Sequence, residues 1–313
     1  MRRNNKRTLI IPVITAVILM LLTACGSENI DAADSLYKIQ QNTAEILMEQ
    51  VPEPTINSVG GEWTVIALAK SEEGIDEGYM QSYYDRVCSM ISSQNGDVGS
   101  RFTDYARVSL ALTAIGRSPE DICGYNLLAA VNSDYDFVVS QGINGPVYAL
   151  IAANECGYEL NEKSELKYLD YILDQELDTG GFSFDKSSAA MDADITAMVL
   201  QALSKYQDNE NVKKAIDRAV ASLSETIKKD SGYASSEAYS QVIIALTILG
   251  INPMSDDRFN TDGQSIVDML MDFALEDGTF CHEADGKSNL MATEQALCAL
   301  DACVLFTDNR TFY

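Results

Sequence analysis

The sequence predicts an all-α protein in which about six helix pairs form two concentric rings, and three observations support this prediction. Ala-Leu pairs recur inside small-residue helical runs at intervals of about 40 to 55 residues. A polar turn that contains glycine precedes most of these runs, and glycine closes a helix without strain. The helices are of two kinds, one apolar on a single face and one apolar nearly all round. The recurring pairs are Ala67-Leu68, Ala111-Leu112, Ala149-Leu150, Ala202-Leu203, Ala245-Leu246 and Ala299-Leu300.

The first 24 residues have the layout of a secretory signal. A basic start precedes the apolar stretch Leu9–Ala24, which is shorter than the roughly 20 residues that span a bilayer. The sequence Leu22-Thr23-Ala24-Cys25 resembles the lipobox of bacterial lipoproteins. This resemblance implies a signal peptide over residues 1–24, a lipid on Cys25 and an extracytoplasmic protein that is lipid-anchored to the bacterial cell membrane. The alternative is an uncleaved anchor with a chance cysteine.

Residues 25–54 are predicted to hold the lipidated cysteine and an N-terminal helix or tether. Apolar residues recur at helical spacing among polar ones over residues 31–51, and Pro52 ends the pattern. This helix is expected either to hold the body of the protein away from the membrane or to pack on the first repeat. The repeats themselves occupy residues 55–313.

Charge and cysteine content limit the classes of partner and of fold. The formal net charge is −25, and such a surface repels nucleic acid and anionic lipid head groups. No nucleic-acid partner is therefore expected. Six cysteines follow Cys25, without a C-x-x-C pair, and most lie in apolar helical runs. We expect them to be mainly core residues, with room for one disulfide that the sequence does not identify.

The two kinds of helix are illustrated by three segments. The segment 211–229 has apolar residues on one stripe and charged residues opposite, as in a surface helix with one buried face. The segments 194–203 and 239–249 are apolar nearly all round, which predicts helices that are buried on both sides. An open solenoid would expose one side of every such helix, so a closed inner ring is the favoured arrangement.

Two motifs resemble a known superfamily. The segment "YILDQELDTGGF" (171–182) is similar to the glutamine-and-aromatic repeat of squalene cyclases, and "NLMATEQALCAL" (289–300) is similar to the final inner helix of secreted bacterial prenyltransferase-repeat proteins. The similarity covers residues 55–305 and implies the α/α-toroid of the terpenoid cyclase and protein prenyltransferase-like superfamily. It is specific for the fold and says little about function, because one fold hosts unrelated activities.

A pair of acids opens one of the all-round apolar helices. In "MDADITAMVLQAL" (191–203), Asp192 and Asp194 resemble the first two acids of the D-x-D-D-T-A motif of class II terpene cyclases, with Ile195 in place of the third. The resemblance implies that Asp194 is the acid that protonates an alkene or epoxide. The alternative is structural: Asp192 caps the helix, and Asp194 interacts with the helix dipole.

Acids and aromatics recur where the predicted inner helices begin. If these helices run parallel, as the toroid implies, their amino-terminal ends gather and form a concave site for a small ligand. Each acid could instead serve only as a dipole partner in a first helical turn. The candidate ligand-binding residues are Glu62, Trp63, Asp104, Tyr105, Phe182, Thr196, Glu237, Tyr239 and Glu294.

No metal or cofactor is expected. The chain has one histidine, His282, and the adjacent Cys281 points another way, so the two are poor joint ligands for zinc. A single histidine also excludes multi-histidine sites and a Ser-His-Asp triad.

The function favoured by the sequence is a membrane-anchored binding module whose partner is a small apolar ligand or a surface protein. One alternative is a terpene-cyclase-like enzyme that uses Asp194. The other is a structural surface lipoprotein with a filled barrel.

Overall fold

The computed structural model describes residues 35–71, 74–229 and 232–313. The chain divides into two compact units, Met1–Ile39 and Gln40–Tyr313. Residues 35–39 of the first unit are helical. The predicted signal peptide and Cys25 lie outside the described residues.

The larger unit is all-α, as the sequence predicts. In its described residues the strands are confined to one antiparallel hairpin, Asn260–Thr261 (β1) paired with Gln264–Ser265 (β2). The helices in chain order are 40–50 (α1), Trp63–Lys70 (α2), Glu77–Ser93 (α3), Phe102–Ala114 (α4), Ala129–Ser133 (α5), Tyr135–Val139 (α6), Asn144–Cys156 (α7), Glu162–Asp174 (α8), Ala193–Leu203 (α9), Glu210–Ile227 (α10), Ser236–Ile248 (α11), Ile266–Met271 (α12) and Leu290–Thr307 (α13).

The two predicted kinds of helix are present. Helix α11 buries all but one of its residues, and α13 is buried from Ala292 to Leu305. Helix α10 buries one stripe, which includes Val212, Ala219 and Leu223, and exposes its charged face. The helices that contain the Ala-Leu pairs, here called the apolar helices, are α2, α4, α7, α9, α11 and α13.

Each apolar helix packs against two others. Helix α2 packs against α4, α4 against α7, α7 against α9, α9 against α11, α11 against α13, and α13 against α2. The one-faced helices lie against them: α8 contacts α7 and α10, and α10 also contacts α9. An apolar helix therefore has protein on several sides, which explains why its sequence carries no polar face.

Local sequence determines where several of these helices begin and end. The side chains of Asn161, Asn209 and Asn289 accept hydrogen bonds from main-chain N–H groups in the first turns of α8, α10 and α13. Ser265 and Asp268 form a reciprocal capping box at α12. Gly157 ends α7 in the left-handed conformation, with φ 66°, which a residue with a side chain adopts at a cost.

Helix α1 packs on the carboxy-terminal part of the unit. Gln40 Nε2 donates a hydrogen bond to Asp301 Oδ1 at 2.6 Å, and Thr43 Oγ1 donates to the carbonyl oxygen of Gly278 at 3.3 Å. A side chain at Gly278 would collide with Asn42 and Ile46. Residues 40–50 thus form a packed helix. Its contacts include α13 and are not limited to the first repeat.

The cysteines of the described residues are either paired in a disulfide or free. Cys88 on α3 forms a disulfide with Cys123. Cys281, Cys298 and Cys303 are free and buried. The sequence predicted mainly core residues with room for one disulfide, which agrees with these three and with the single pair; Cys156, at the end of α7, is free and half-buried. A disulfide agrees with the oxidising compartment that a secretory signal implies.

One helix in the described part of the chain, Leu290–Thr307, is long and apolar enough to cross a membrane, with a mean hydropathy of 1.4. About four fifths of it, 78%, is buried inside the protein. Such burial is typical of the core helix of a folded domain.

Truncation of the apolar helices tests this packing. We expect Leu203→Ala and Leu246→Ala each to lower the free energy of unfolding by roughly 2–5 kcal/mol, because both side chains are fully buried and leave a cavity. Urea unfolding of the full chain in mild detergent, followed by circular dichroism, measures the change. Leu166→Ala is the matched control, because Leu166 is 46% exposed. Equal losses in all three variants would contradict the packing described.

Candidate functional site

The four acids predicted to line a ligand site, and the candidate proton donor Asp194, all lie in or next to the apolar helices. Glu62 directly precedes α2, and Asp104, Asp194 and Glu237 lie in the first turns of α4, α9 and α11. A carboxylate in the first turn is favoured by the partial positive charge of the helix terminus. Glu294 lies one turn further along, inside α13.

Glu62 and Asp104 are brought together by an arginine. Arg107 Nη2 lies 2.7 Å from Asp104 Oδ1, and Arg107 Nε lies 3.6 Å from Glu62 Oε2. Arg101 donates two further hydrogen bonds to the Asp104 carboxylate, at 3.3 and 3.1 Å. Glu62 is 1% exposed, and neither its Oε2 nor Arg107 Nε has a hydrogen-bond partner in the protein. The buried pair is therefore compensated in charge but incompletely hydrogen-bonded.

A cavity of about 200 Å³ opens beside this pair, and it is called the Glu62 cavity below. Charged side chains form one part of its lining, and apolar side chains form another. Arg101, with a side chain 59% exposed, faces solvent, whereas the side chain of Arg107 is 12% exposed. The lining consists of Ile56, Asn57, Glu62, Val98, Arg101, Asp104, Arg107 and Val108.

Burial changes the proton affinity of Glu62. Loss of hydration raises the pKa of Glu62 from its ordinary value of 4.5 to about 7, although Arg107 opposes the shift. The Tyr83 hydroxyl on α3 is fully buried without a hydrogen-bond partner, and Glu62 contributes to raising its pKa. Glu62 thus lies among Asp104 and Arg107, both of α4, and Tyr83 of α3.

Glu294 is held by the turn that leads into α2. Its Oε1 accepts hydrogen bonds from the main-chain N–H of Gly60 at 2.9 Å and from the Thr64 hydroxyl, whereas its Oε2 has no partner. The side chain is completely buried, and burial raises its pKa from 4.5 to about 7. Glu294 therefore lies near Glu62 in the fold, although the two are far apart in sequence.

Asp194 and Glu237 form a second acidic pair. Burial raises the pKa of Asp194, and the nearby charges of Asp192 and Glu237 raise it further. Glu237 Oε2 lies 2.8 Å from His282 Nδ1. The single histidine is therefore paired with Glu237, whereas a cyclase-type assignment calls for a partner that orients Asp194.

Asp192 does not cap α9 with its side chain, which corrects the structural alternative given above. It occupies the position before the helix without a capping hydrogen bond. Its Oδ2 instead accepts hydrogen bonds from the Ser183 hydroxyl at 2.9 Å and from the Phe184 main-chain N–H at 3.3 Å. Asp192 therefore fixes the loop that precedes α9 and leaves the helix terminus without a side-chain cap.

The predicted aromatic residues have different surroundings. Trp63 contacts Tyr148 of α7, with ring centroids 6.5 Å apart. Desolvation raises the pKa of the Tyr148 hydroxyl to about 12. The charge of Arg107 lowers this pKa, and the charge of Asp194 raises it. Tyr148 was not predicted from the sequence, and it lies between the two acidic groups.

The other predicted aromatics and Thr196 are engaged in packing. Tyr105 donates a hydrogen bond to Asp97 at 2.8 Å, and Tyr239 stacks at a tilt against Tyr233 and Phe273. The main-chain N–H of Phe182 donates to Thr196 Oγ1 at 2.9 Å, and both residues are fully buried. These last two fasten the glycine-containing turn to α9.

Three buried glutamines connect neighbouring apolar helices and were also missed. Gln201 Nε2 of α9 donates to Gln241 Oε1 of α11 at 2.8 Å, and Gln241 Nε2 donates to Gln295 Oε1 of α13. The sequence signal that could have identified them is one glutamine in each of three otherwise apolar helices.

No protein-family model matches this chain, and no curated protein is significantly similar to it. Within residues 35–71, 74–229 and 232–313, no group of three or more His, Cys, Asp or Glu side chains has the arrangement of a metal site.

The raised pKa values predict how stability depends on pH. Glu62 and Glu294 bind protons more tightly in the folded chain than in the unfolded chain, so stability falls as pH rises from about 4.5 to about 7. Each contributes at most roughly 3 kcal/mol. Urea unfolding at about pH 5, 6, 7 and 8 measures this decline in the free energy of unfolding.

Glu294→Gln should reduce that decline, because the amide oxygen still accepts from Gly60 and Thr64 but carries no charge. Glu283→Gln, at an exposed position, is the control and should leave it unchanged. A decline of equal size in both variants would show that burial of Glu294 is not its cause.

Proposed function

We propose that this chain is a membrane-anchored extracytoplasmic lipoprotein whose residues 55–313 form an α/α-toroid that binds a small ligand. The toroid is supported by the cyclic order of neighbours, in which α13 packs back against α2 after each apolar helix has packed on the next. The one-faced helices α8 and α10 lie against the apolar helices, as an outer layer would.

The binding role rests on one observation, the Glu62 cavity with its buried and incompletely hydrogen-bonded ion pair. Ordinary structural ion pairs that are buried have their remaining hydrogen-bonding atoms satisfied, because an unsatisfied buried polar atom costs about 1–3 kcal/mol. Here Glu62 Oε2 and Arg107 Nε are both without a protein partner and both belong to residues that line a cavity. A small polar ligand seated in this cavity would contact both residues.

A terpene-cyclase-like activity is the second candidate. It is favoured by the raised pKa of Asp194, since a carboxylic acid must be protonated to transfer a proton to an alkene. Against it, the one histidine contacts Glu237 and not Asp194. A filled structural barrel is the third candidate, and it is distinguished by the absence of any bound ligand.

Retention of a ligand tests the binding role. The full chain in mild detergent is incubated with the small-molecule fraction of bacterial culture medium, repurified and analysed by mass spectrometry. We expect it to retain a small molecule that Val98→Phe does not, because the larger side chain fills the Glu62 cavity. Val139→Phe is the matched control, since Val139 is also partly buried but does not line the cavity.

Two outcomes would overturn the binding role. Retention of nothing by the wild-type chain would favour a filled structural barrel. Conversion of squalene or a prenyl diphosphate to a cyclic product, lost in a folded Asp194→Asn variant, would identify an enzyme.

The lipid anchor is tested separately. Expressed in a bacterium, the chain should incorporate labelled fatty acid and sediment with membranes, because Cys25 follows a lipobox-like sequence. Cys25→Ser should abolish both labelling and processing, whereas Cys156→Ser should abolish neither, since Cys156 lies in α7. Labelling of the Cys25→Ser variant would show that the anchor is not at this residue.

A further inference from the structure

Residues 309–313, called the tail below, follow α13 and fold back onto the body of the protein. Asn309 closes the helix with φ 58°, and the Arg310 main-chain N–H donates a hydrogen bond to the Leu305 carbonyl oxygen at 2.8 Å. This left-handed closure ends the helix and turns the chain. The tail has no regular secondary structure, yet the Phe312 side chain is fully buried.

A charged side chain at the end of another helix holds the tail. Lys70, the last residue of α2, donates a hydrogen bond from Nζ to the Phe312 carbonyl oxygen. The same ammonium group lies 5.3 Å from the centroid of the Phe312 ring and 5.9 Å from that of the Tyr313 ring, within range of cation–π attraction. Glu155 Oε1, near the end of α7, lies 2.6 Å from Nζ and fixes the ammonium group beside the tail.

The second ring of the tail lies close to side chains of two further helices. Burial holds the pKa of the Tyr313 hydroxyl well above its usual range, and the nearby Tyr148 and Cys298 raise it further. These two residues belong to α7 and α13. Tyr148 also contacts Trp63 of α2, with ring centroids 6.5 Å apart. The tail therefore adds two aromatic rings to a group of aromatic side chains that α2 and α7 already supply.

These contacts are of the kind that a binding site makes with a ligand. A buried aromatic ring supplies apolar area, and a cation near its face adds electrostatic attraction. A charge-assisted hydrogen bond fixes the carbonyl group beside that ring. Because the tail is neither a helix nor a strand, it can leave while the helices around it keep their own main-chain hydrogen bonds.

We propose that the carboxy-terminal ends of α2 and α7 form a binding site for a peptide that presents an aromatic side chain beside a main-chain carbonyl group, and that the tail occupies this site as an intramolecular ligand. Lys70 binds the carbonyl group, and the Phe312 ring fills the apolar part of the site. A peptide from another molecule must displace the tail, which is tethered to α13 and therefore present at a high effective concentration.

This proposal does not depend on the ligand-binding role proposed for the Glu62 cavity. Neither Lys70 nor any residue of the tail lines that cavity. Either proposal can therefore fail without the other.

A variant of the full chain with the site emptied tests the proposal. Phe312→Ala together with Tyr313→Ala removes both rings, and the probe is the peptide N-acetyl-Thr-Phe-Tyr amide, which has the sequence of residues 311–313. Isothermal titration calorimetry in mild detergent should show saturable binding of this peptide to the emptied variant. Binding to the wild-type chain should be at least about 10-fold weaker, because the tail competes. N-acetyl-Thr-Ala-Ala amide should bind to neither.

Two lysine variants, each added to the emptied variant, locate the site. Lys70→Met should weaken binding of the aromatic peptide by roughly 10- to 100-fold, because a charge-assisted hydrogen bond is lost. Lys186→Met is the matched control and should have no effect. Lys186 also donates to a main-chain carbonyl oxygen, but that oxygen belongs to Asp174 at the end of α8. Circular dichroism verifies that each variant is folded.

A milder variant keeps the test decisive if the emptied variant does not fold. Tyr313→Ala leaves the fully buried Phe312 in place. Para-cresol, which has the structure of the tyrosine side chain, should then raise the thermal unfolding midpoint of Tyr313→Ala and leave that of the wild-type chain unchanged. The reason is that a ligand that binds only the folded chain stabilises it.

Three results would overturn the proposal. One is a folded emptied variant that does not bind the aromatic peptide, or a folded Tyr313→Ala variant that para-cresol does not stabilise; the tail would then be an ordinary part of the core. Another is peptide binding that is equal in the wild-type chain and the emptied variant, or unchanged by Lys70→Met, which would place the peptide elsewhere. The third is loss of folding in both tail variants, which would show that the body of the protein requires the tail.

Discussion

Burial of the apolar helices on nearly every side is the constraint on which the rest of this structure depends. A polar group within such a helix has no access to water, so it must find a partner in a neighbouring helix or pay the full cost of desolvation. The buried Asp301 of α13 is met by Gln40 of α1, and Gln201, Gln241 and Gln295 connect three successive helices. The polar interior is therefore a set of contacts between elements that are distant in sequence.

The same burial places several carboxylate side chains at the amino-terminal ends of α2, α4, α9 and α11. Two of these carboxylates, Glu62 and Asp194, lie close enough to the helix termini to be favoured electrostatically and are buried enough that their pKa values are raised. Glu62 and Asp194 share this environment but differ in their neighbours. Glu62 forms an ion pair with the Arg107 guanidinium beside a cavity, whereas Asp194 lies near Glu237 and Asp192, which also carry negative charge. The first arrangement compensates the charge of a buried carboxylate, and the second favours a carboxyl group that keeps its proton.

Periodicity predicted the elements of this fold well and their polar partners poorly. The all-round apolar pattern of 239–249 and the single stripe of 211–229 depend only on which faces are buried, so both appear in the local sequence. Arg107 has no such signal, because its importance arises from Glu62, which precedes a different helix. The Cys88–Cys123 disulfide and the contact of α1 with Asp301 are likewise long-range. Asp192 was assigned to a cap because its position is right, but two loop donors compete for its carboxylate.

Glu294, a buried acid with a structural role, helps to position Glu62, the acid that lines the cavity. Both are buried with pKa values near 7, yet Glu294 Oε1 is satisfied by Gly60 and Thr64, whereas Glu62 Oε2 has no hydrogen-bond partner and Glu62 lines the cavity. The contact with Gly60 acts on the backbone, because Gly60 adopts φ 70° in the turn 58–62 that leads directly to Glu62. Gly61 follows, and a side chain there would collide with the main chain of Thr55. Glu294, on α13, thus fixes the turn that carries Glu62 and leads into α2. The same hydrogen bond therefore supports both the packing of α13 against α2 and the position of Glu62 beside its cavity.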